Sequence, residues 1–266
     1  MGLSYYAENQ ILDHLFGNQN LPNIPRYLGF SLSSADRAQP GTEPLGGGYA
    51  RIPVDSSHWN VSSSPSPKAK NVKDISSSRA TNYWGTVVSA SLFDSSVGGH
   101  YWVGFTVSPG GLQVNSGDIA TLLTEEMSHG FDSGNLSART CVKILEFLYK
   151  DVPLPSVPTL FLAAMTGGCN ALSPGIEISG GNYARVAIAN SLANFSPASG
   201  GKKLSVEARF PQATADWGTV TQIAFFSDLT GGDYIAWCDI PPTEIRSVSS
   251  DVLLFLPSSI TFKLSA

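Results

Sequence analysis

Charge is what this chain has least of. Only 14 % of its 266 residues are Asp, Glu, Lys or Arg, and the balance is −5. No basic face that could neutralise a run of phosphates is available, so nucleic acid is not an expected partner. The basic clusters are short, Lys68-Ala69-Lys70 with Lys73, and Lys202-Lys203. They read as solvated loop charges. Cysteine is scarce as well. There are three, Cys141, Cys169 and Cys238, an odd number without CxxC spacing, which excludes a disulfide framework and predicts reduced thiols. No apolar run approaches the roughly 18 residues of a membrane-spanning helix, so membrane insertion is not expected. The opening MGLSYYAENQ has neither the basic nor the apolar region of a signal peptide, and no Ser or Thr where myristoylation needs one. Synthesis in the cytoplasm without a signal peptide is the expectation.

Reactive constellations are missing too. His14, His58, His100 and His129 are far apart in sequence, and none has a partner at metal-ligand spacing. The chain contains no GxSxG, no P-loop and no dinucleotide fingerprint. Gly46-Gly47-Gly48 precedes a predicted strand, so it lacks the helix N-terminus that would bind phosphate. Asp94, Asp118, Asp228 and Asp233 sit in turn-like contexts, where Asp serves local hydrogen bonding. No residue is assigned as catalytic, cofactor-binding or metal-ligating. No cofactor is expected, and the chain is not read as an enzyme.

What the chain does have is turn formers and an internal repeat. Glycine numbers 26 and proline 17, with 42 % hydrophobic residues. That composition favours β-rich domains over helical bundles. The tetrapeptide WGTV at residues 84–87 returns at 217–220, a displacement of 217 − 84 = 133 residues. GGGYAR at 46–51 answers GGNYAR at 180–185; ILDHLF at 11–16 answers ILEFLY at 144–149. GGHY at 98–101 answers GGDY at 231–234, and SGD at 116–118 answers SSD at 249–251. Five anchors in one order with nearly one offset mark a tandem duplication. The predicted domains are 1–134 and 135–266, each a β-sandwich preceded by a short amphipathic helix.

Apolar periodicity predicts helices over residues 6–16 and 138–149, the second capped by Ser137. In the first, Ile11, Leu12, Leu15 and Phe16 form the stripe, while Glu8, Asp13 and His14 lie largely off it. Strands are predicted at 26–31 and 159–164, at 49–54 and 183–188, after each WGTV to Phe93 or Phe226, and on either side of each Gly-Gly turn. Residues 55–82 read as a long surface loop with one short strand near 72–75. Copy two closes with an alternating hairpin, 252–256 and 260–265. Copy one departs there: IATLLTEEM at 119–127 has helical composition, so the terminal hairpin is expected to be lost.

The anchors of the repeat are Trp84 and Trp217, Tyr49 and Tyr183, Arg51 and Arg185. Trp59, Trp102 and Trp237 could in principle stack on sugars. However, Trp102 matches Ile235 and Trp237 matches Gly104, so they are not a repeated feature. Trp84 and Trp217 are repeated and read as core or rim anchors whose indole N–H is bonded to backbone. Loss of a terminal hairpin would leave strand edges open in copy one. Ile119, Leu122, Leu123 and Met127 are therefore candidate interface residues, and isolated copy one is expected to be the less soluble half.

Taken together, the ILDHLFGN helix, the loop ending in GGxYAR, ATxxWGTV, the Gly-Gly hairpin, the GD turn and the closing alternating hairpin resemble a bacteriophage family. It is that of tail-fibre or minor tail proteins of the mycobacteriophage type. Copy two carries the whole pattern and copy one carries it through Asp118. The resemblance implies a non-enzymatic virion protein of the tail, neck or fibre apparatus, partnered by other tail, neck or baseplate proteins. A capsid-decorating protein and a carbohydrate-binding adhesin that touches a host surface glycan stand as alternatives. Oligomers close by symmetry, and two like domains per chain present six sandwiches from three chains, so a homotrimer is expected.

Overall fold

The computed structural model describes residues 2–22, 26–64, 66–107, 110–131, 133–198, 201–247 and 251–265. The anchor residues 249–250 and the end of the first proline linker lie outside them. Copy one comprises α1 (Tyr5–Leu15), β1 (Tyr27–Ser31), β2 (Ile52–Pro53), β3 (Trp59–Ser62), β4 (Lys68–Asn71), β5 (Ile75–Ser76), β6 (Gly85–Val87), β7 (Ser89–Phe93), β8 (Tyr101–Thr106), β9 (Leu112–Val114), β10 (Thr121–Leu122) and β11 (Ser128–Gly130). Copy two comprises β12 (Ser133–Gly134), α2 (Ala138–Lys150), β13 (Thr159–Gly167), β14 (Ile176–Glu177), β15 (Val186–Ala189), β16 (Phe195–Ala198), β17 (Gly201–Leu204), β18 (Ala208–Arg209), β19 (Gly218–Phe226), β20 (Tyr234–Ile245), β21 (Leu254–Phe255) and β22 (Thr261–Ser265).

The fold is mainly β, in two tandem sandwiches, each with a short helix before it. In copy one the sheet β2-β1-β7-β8 faces β11-β4-β3, with the small pairs β5–β10 and β6–β9 beside them. In copy two the sheet β14-β13-β19-β20, extended by β15 on β13, faces β12-β22-β17-β16, with β18–β21 beside it. Among the described residues all strand pairings are antiparallel. The inner faces carry the large residues, such as Phe30, Val103 and Phe105 in one copy and Leu162, Phe225 and Phe262 in the other, all buried.

Each helix begins on a serine cap. Ser4 Oγ accepts from the Ala7 amide and Ser137 Oγ from the Thr140 amide, both at 3.1 Å. The same hydroxyls donate to the carbonyls of Tyr101 and Tyr234, so each cap also docks its helix on its own β8 or β20. The far end of each helix goes elsewhere. α1 runs on to β17 of copy two, and α2 packs on β3 and β4 of copy one. Phe16, just past α1, stacks on Phe262 at 5.2 Å and lies 5.7 Å from Phe195. Tyr149, its counterpart on α2, lies 4.7 Å from Trp59 and its hydroxyl meets His129 Nδ1 at 2.9 Å. The far ends of the helices are thus exchanged between the copies while their starts stay on their own, and one continuous apolar cluster runs through both sandwiches. Glu8 and His14 are buried, contrary to the sequence expectation, because α1 is covered on more than its apolar stripe. Glu8 is covered within copy one and pairs with Arg37, whereas His14, near the far end, has Nδ1 2.7 Å from the Gln19 carbonyl and Nε2 3.2 Å from the Pro155 carbonyl of copy two.

Three other expectations are corrected. Residues 119–127 are not helical. They form β10 and a turn leading to β11, which pair with β5 and β4 as β21 and β22 pair with β18 and β17. The two terminal strands of copy one are therefore retained, but among the described residues neither copy forms the expected terminal hairpin: β10 and β11, like β21 and β22, pair into different sheets and not with each other. The composition of 119–127 misled because the turn, 123–126, holds Leu, Thr and two Glu. Residues 55–82 are not simply a surface loop. They carry the β3–β4 hairpin, whose Trp59, Ala69 and Asn71 face inward among Ser, Pro and Lys. Tyr49 and Arg51 precede β2 rather than lying in it, and likewise Tyr183 and Arg185 precede β15.

Candidate functional site

The repeated residues meet in a clasp, once in each copy. In copy two the loop from Glu177 to Arg185 crosses the start of β19 and the β19–β20 turn. Arg185 grips Glu177 with two parallel bonds, Nε to Oε1 and Nη2 to Oε2, both 2.7 Å. This is the fork-on-carboxylate geometry that arginine favours. Its Nη1 donates to the carbonyls of Asp228 and Gly231, both at 2.7 Å. The guanidinium carbon lies 3.7 Å from the centre of the Phe226 ring, within cation–π range. Tyr183 hydroxyl donates to Glu177 Oε1 at 2.9 Å and accepts from the Ala164 amide at 3.0 Å. Trp217 stands at 88° to the Tyr183 ring, and its Nε1 donates to the Gly181 carbonyl at 3.0 Å.

Copy one repeats this closely. Arg51 bonds Glu43 and the carbonyls of Ser95 and Gly98 at 2.6–2.7 Å, and lies 3.4 Å over Phe93. Tyr49 hydroxyl donates to Glu43 and accepts from the Phe30 amide at 2.9 Å. Trp84 stands at 90° to Tyr49 and donates to the Gly47 carbonyl at 2.8 Å. Gly47 and Gly181 have φ of +58° and +56°, and a Cβ on either would come within 3.0 Å of the indole. The second glycine of GGxYAR is therefore needed for both backbone and space. Burial, then the Glu43 carboxylate, raises the Tyr49 phenol well above its ordinary value. Burial does the same for Tyr183.

Four of the five N–H groups of Arg185 are used within the clasp, so its arrangement closes two loops and offers little to a ligand. The sequence reading paired Tyr, Arg and Trp but missed Glu43 and Glu177. The signal was present: a glutamate stands eight residues before the arginine in both copies, 51 − 43 and 185 − 177.

The remaining candidates fall apart. Trp59 and Trp102 are each 1 % exposed, so neither can stack on a sugar. Trp237 is half-buried and lines a cleft between the copies with Pro67, Phe131, Cys141 and Leu264. Leu122 and Met127 are buried in the chain's own core, which removes them as interface residues, whereas Ile119 and Leu123 face solvent. On either side of residue 132 the chain passes from one copy to the other: the Phe131 amide donates to the Pro67 carbonyl of copy one, and Gly134 pairs with Leu264 of copy two. Cys141 and Cys169 are buried free thiols, raised by burial to about 12 and about 11. Among the described residues no group of three or more His, Cys, Asp or Glu is placed to hold a metal ion. No helix among them is long and apolar enough to cross a membrane.

Fold and clasps together define a tandem β-sandwich protein whose recurrent polar side chains are spent on one another. The family model of Gp80, the podophage GP4 fiber I protein gp80, matches the chain twice, over residues 2–129 and 135–263. The chain belongs to that family, in two consecutive copies, which bears out the resemblance to a phage tail-fibre family. Comparison with curated proteins finds no match.

Proposed function

We propose that this protein is a non-enzymatic structural component of a phage virion, part of the tail, neck or fibre apparatus. Residues 1–134 and 135–266 are its two sandwiches, save that Ser133–Gly134 joins the sheet of the second as β12, and Trp84, Trp217, Tyr49, Tyr183, Arg51 and Arg185 anchor them. The observation that carries this reading is that the fibre-family match spans both copies while the repeated cluster in each is self-satisfied. A repeated domain conserved in its scaffold serves shape and valency. Its partners are other virion proteins and further copies of itself. A trimer, giving six sandwiches, remains the proposed order, although the terminal strands of copy one are present and paired with β5 and β4. Ile119 and Leu123 are the remaining interface candidates of that region. The test is gold-labelled antibody against the chain on intact particles: label on the tail supports the reading, and particles free of the protein overturn it. Label over the whole head would favour a capsid-decorating role.

A second reading, contact with a host glycan, is favoured by one feature. The outer face of β3–β4 forms a groove of about 410 Å³ lined by Asn60, Ser62, Lys68, Lys70 and Glu125 among other polar residues. Amide, hydroxyl and ammonium groups match sugar hydroxyls, although no aromatic platform accompanies them there. Binding on a glycan array that is lost in Lys70→Ala would establish this reading; no binding would dismiss it.

A further inference from the structure

Each helix start lies on its own sandwich beside the far end of the other helix, and this junction differs between the copies. In copy one it is closed by rings. Tyr6 lies flat on His100, with centroids 4.0 Å and planes 4° apart, and stands edge-on to Trp102 at 5.4 Å. Phe147, near the far end of α2, meets Trp102 at 6.5 Å. His100 Nδ1 is held in turn by Asp94 at 2.9 Å. At a displacement of 133 residues, Tyr6, His100 and Trp102 answer to Arg139, Asp233 and Ile235, and His14 answers to Phe147. No such stack can form from Arg139, Asp233, Ile235 and His14.

In its place copy two has a cleft of about 220 Å³. Leu154, Val157, Tyr234 and Ile235 supply apolar wall, and Arg139, Lys143 and Asp233 line it as well. The two cations lie one turn apart on α2 and share the carboxylate: Arg139 Nη1 is 3.0 Å from Asp233 Oδ1, and Lys143 Nζ is 2.5 Å from Oδ2. Among the described residues Asp233 is the one acid lining the cleft, so two cations face a single negative charge. Nothing else among those residues bonds the Arg139 guanidinium, and its side chain is 68 % exposed. Both clasps show what the Nε and Nη2 edge of an arginine takes here, namely a carboxylate held by a fork. On Arg139 that edge is open.

We propose that this cleft binds a hydroxylated carboxylate, a sugar-acid residue of an acidic surface polysaccharide. The carboxylate of the sugar takes the open edge of Arg139, with the Lys143 ammonium adding a second positive charge. Asp233 decides between an acidic sugar and an acidic peptide. It repels a carboxylate that brings no donor, whereas the hydroxyls beside the carboxylate of a sugar acid donate to it. The apolar walls, with the Tyr234 ring among them, suit the C–H face of a sugar. Copy one, closed by its rings, has no room for such a ligand at the equivalent junction. The inference rests on the host-glycan reading, to which it adds a ligand class and a site apart from the β3–β4 groove.

The experiment titrates the full chain by calorimetry with oligomers of galacturonate, glucuronate and mannuronate, with their methyl esters, and with polyglutamate. At least one oligouronate is expected to bind. Its ester should bind roughly tenfold or more weakly, because the charge-assisted fork is lost, and polyglutamate should bind more weakly than the sugar acid. Arg139→Gln should lower the affinity by a similar factor with an unchanged circular dichroism spectrum, since this side chain is mostly exposed. Lys143→Gln, made separately, should weaken binding too, and so should added salt. The proposal is overturned if no oligouronate binds at millimolar concentration, if ester or polyglutamate binds as tightly as the acid, or if Arg139→Gln leaves the affinity unchanged. Acid binding lost in Lys70→Ala and kept in Arg139→Gln would place the glycan in the β3–β4 groove, and neutral glycans bound alone would leave host contact standing. Either result overturns this site without touching the reading it rests on, and particle labelling is independent of both.

Discussion

Replacing Phe16 with alanine removes a ring that copy one inserts into the core of copy two. Phe16 is fully buried, stacked on Phe262 at 5.2 Å and tilted against Phe195 and Phe225 at 5.7 and 6.3 Å. Around it, the Asn190 side-chain amide donates to the Leu15 carbonyl at 2.9 Å, and Leu192 crowds Gly17. This surround is tied down and collapses poorly into a cavity. A Phe→Ala change at such a site costs about 3–5 kcal/mol, or a fall of roughly 10 °C in Tm for a chain of this size. Urea unfolding measures the magnitude, and native-state hydrogen exchange locates it. Protection should fall in β17, β19 and β22 of copy two, although the mutated residue belongs to copy one. A loss below about 1 kcal/mol, or loosening confined to copy one, would refute the exchanged packing.

Trp217→Ala should cost about 3–5 kcal/mol, because the indole is buried and its N–H bond to Gly181 goes with it; a near-neutral change with lost partner binding would mark it as a contact residue instead. Arg185→Met should cost roughly 2 kcal/mol by urea unfolding, less than a fully buried pair because Glu177 keeps 27 % side-chain exposure; no change would remove the clasp as a stabilising element. His129 is buried, and desolvation pushes its imidazole down to about 4. The folded chain therefore binds this proton less readily than the unfolded chain does. The stability it contributes is complete above about pH 6.5 and is lost as pH falls towards 4, by about 3 kcal/mol. His129→Phe, which installs the residue found at the equivalent Phe262, should flatten that part of the pH profile; parallel profiles for the two proteins would contradict it.

Much of the fold was legible because the duplication repeats its turn chemistry. WGTV, GGxYAR and the paired glycines fix β6–β7 and β19, the clasp loops and the hairpins at nearly one offset. Ser137 signalled its helix start, and the apolar stripes located both helices. The β3–β4 hairpin was hidden because its inward residues, Trp59, Val61, Ala69 and Asn71, come only two to a strand, separated by Asn60 and Lys70, and the sequence between the strands is rich in Ser and Pro. The 119–127 segment misled because two-residue strands such as β10 are too short to show alternation. The clasp was half legible: its tyrosine and arginine repeat conspicuously, whereas the glutamate is an isolated residue eight positions earlier. Exchange of the helices had no sequence signal at all. Phe16 and Tyr149 each continue an amphipathic stripe, and a stripe does not say which copy's core it enters.

The exchange also removes the reason for ranking the two halves by solubility. Both copies keep their two terminal strands, each paired into a sheet, and each half completes its core with the helix end of the other. The most direct measurement is therefore the solution mass and thermal unfolding of residues 1–134 and 135–266 expressed separately. Neither should be a folded monomer. Each should aggregate, or pair with a like half that lends its helix, and mixing the halves should restore a one-to-one complex with the cooperativity of the full chain. A well-folded monomeric half with the stability of the intact protein would contradict the single, reciprocally braced body.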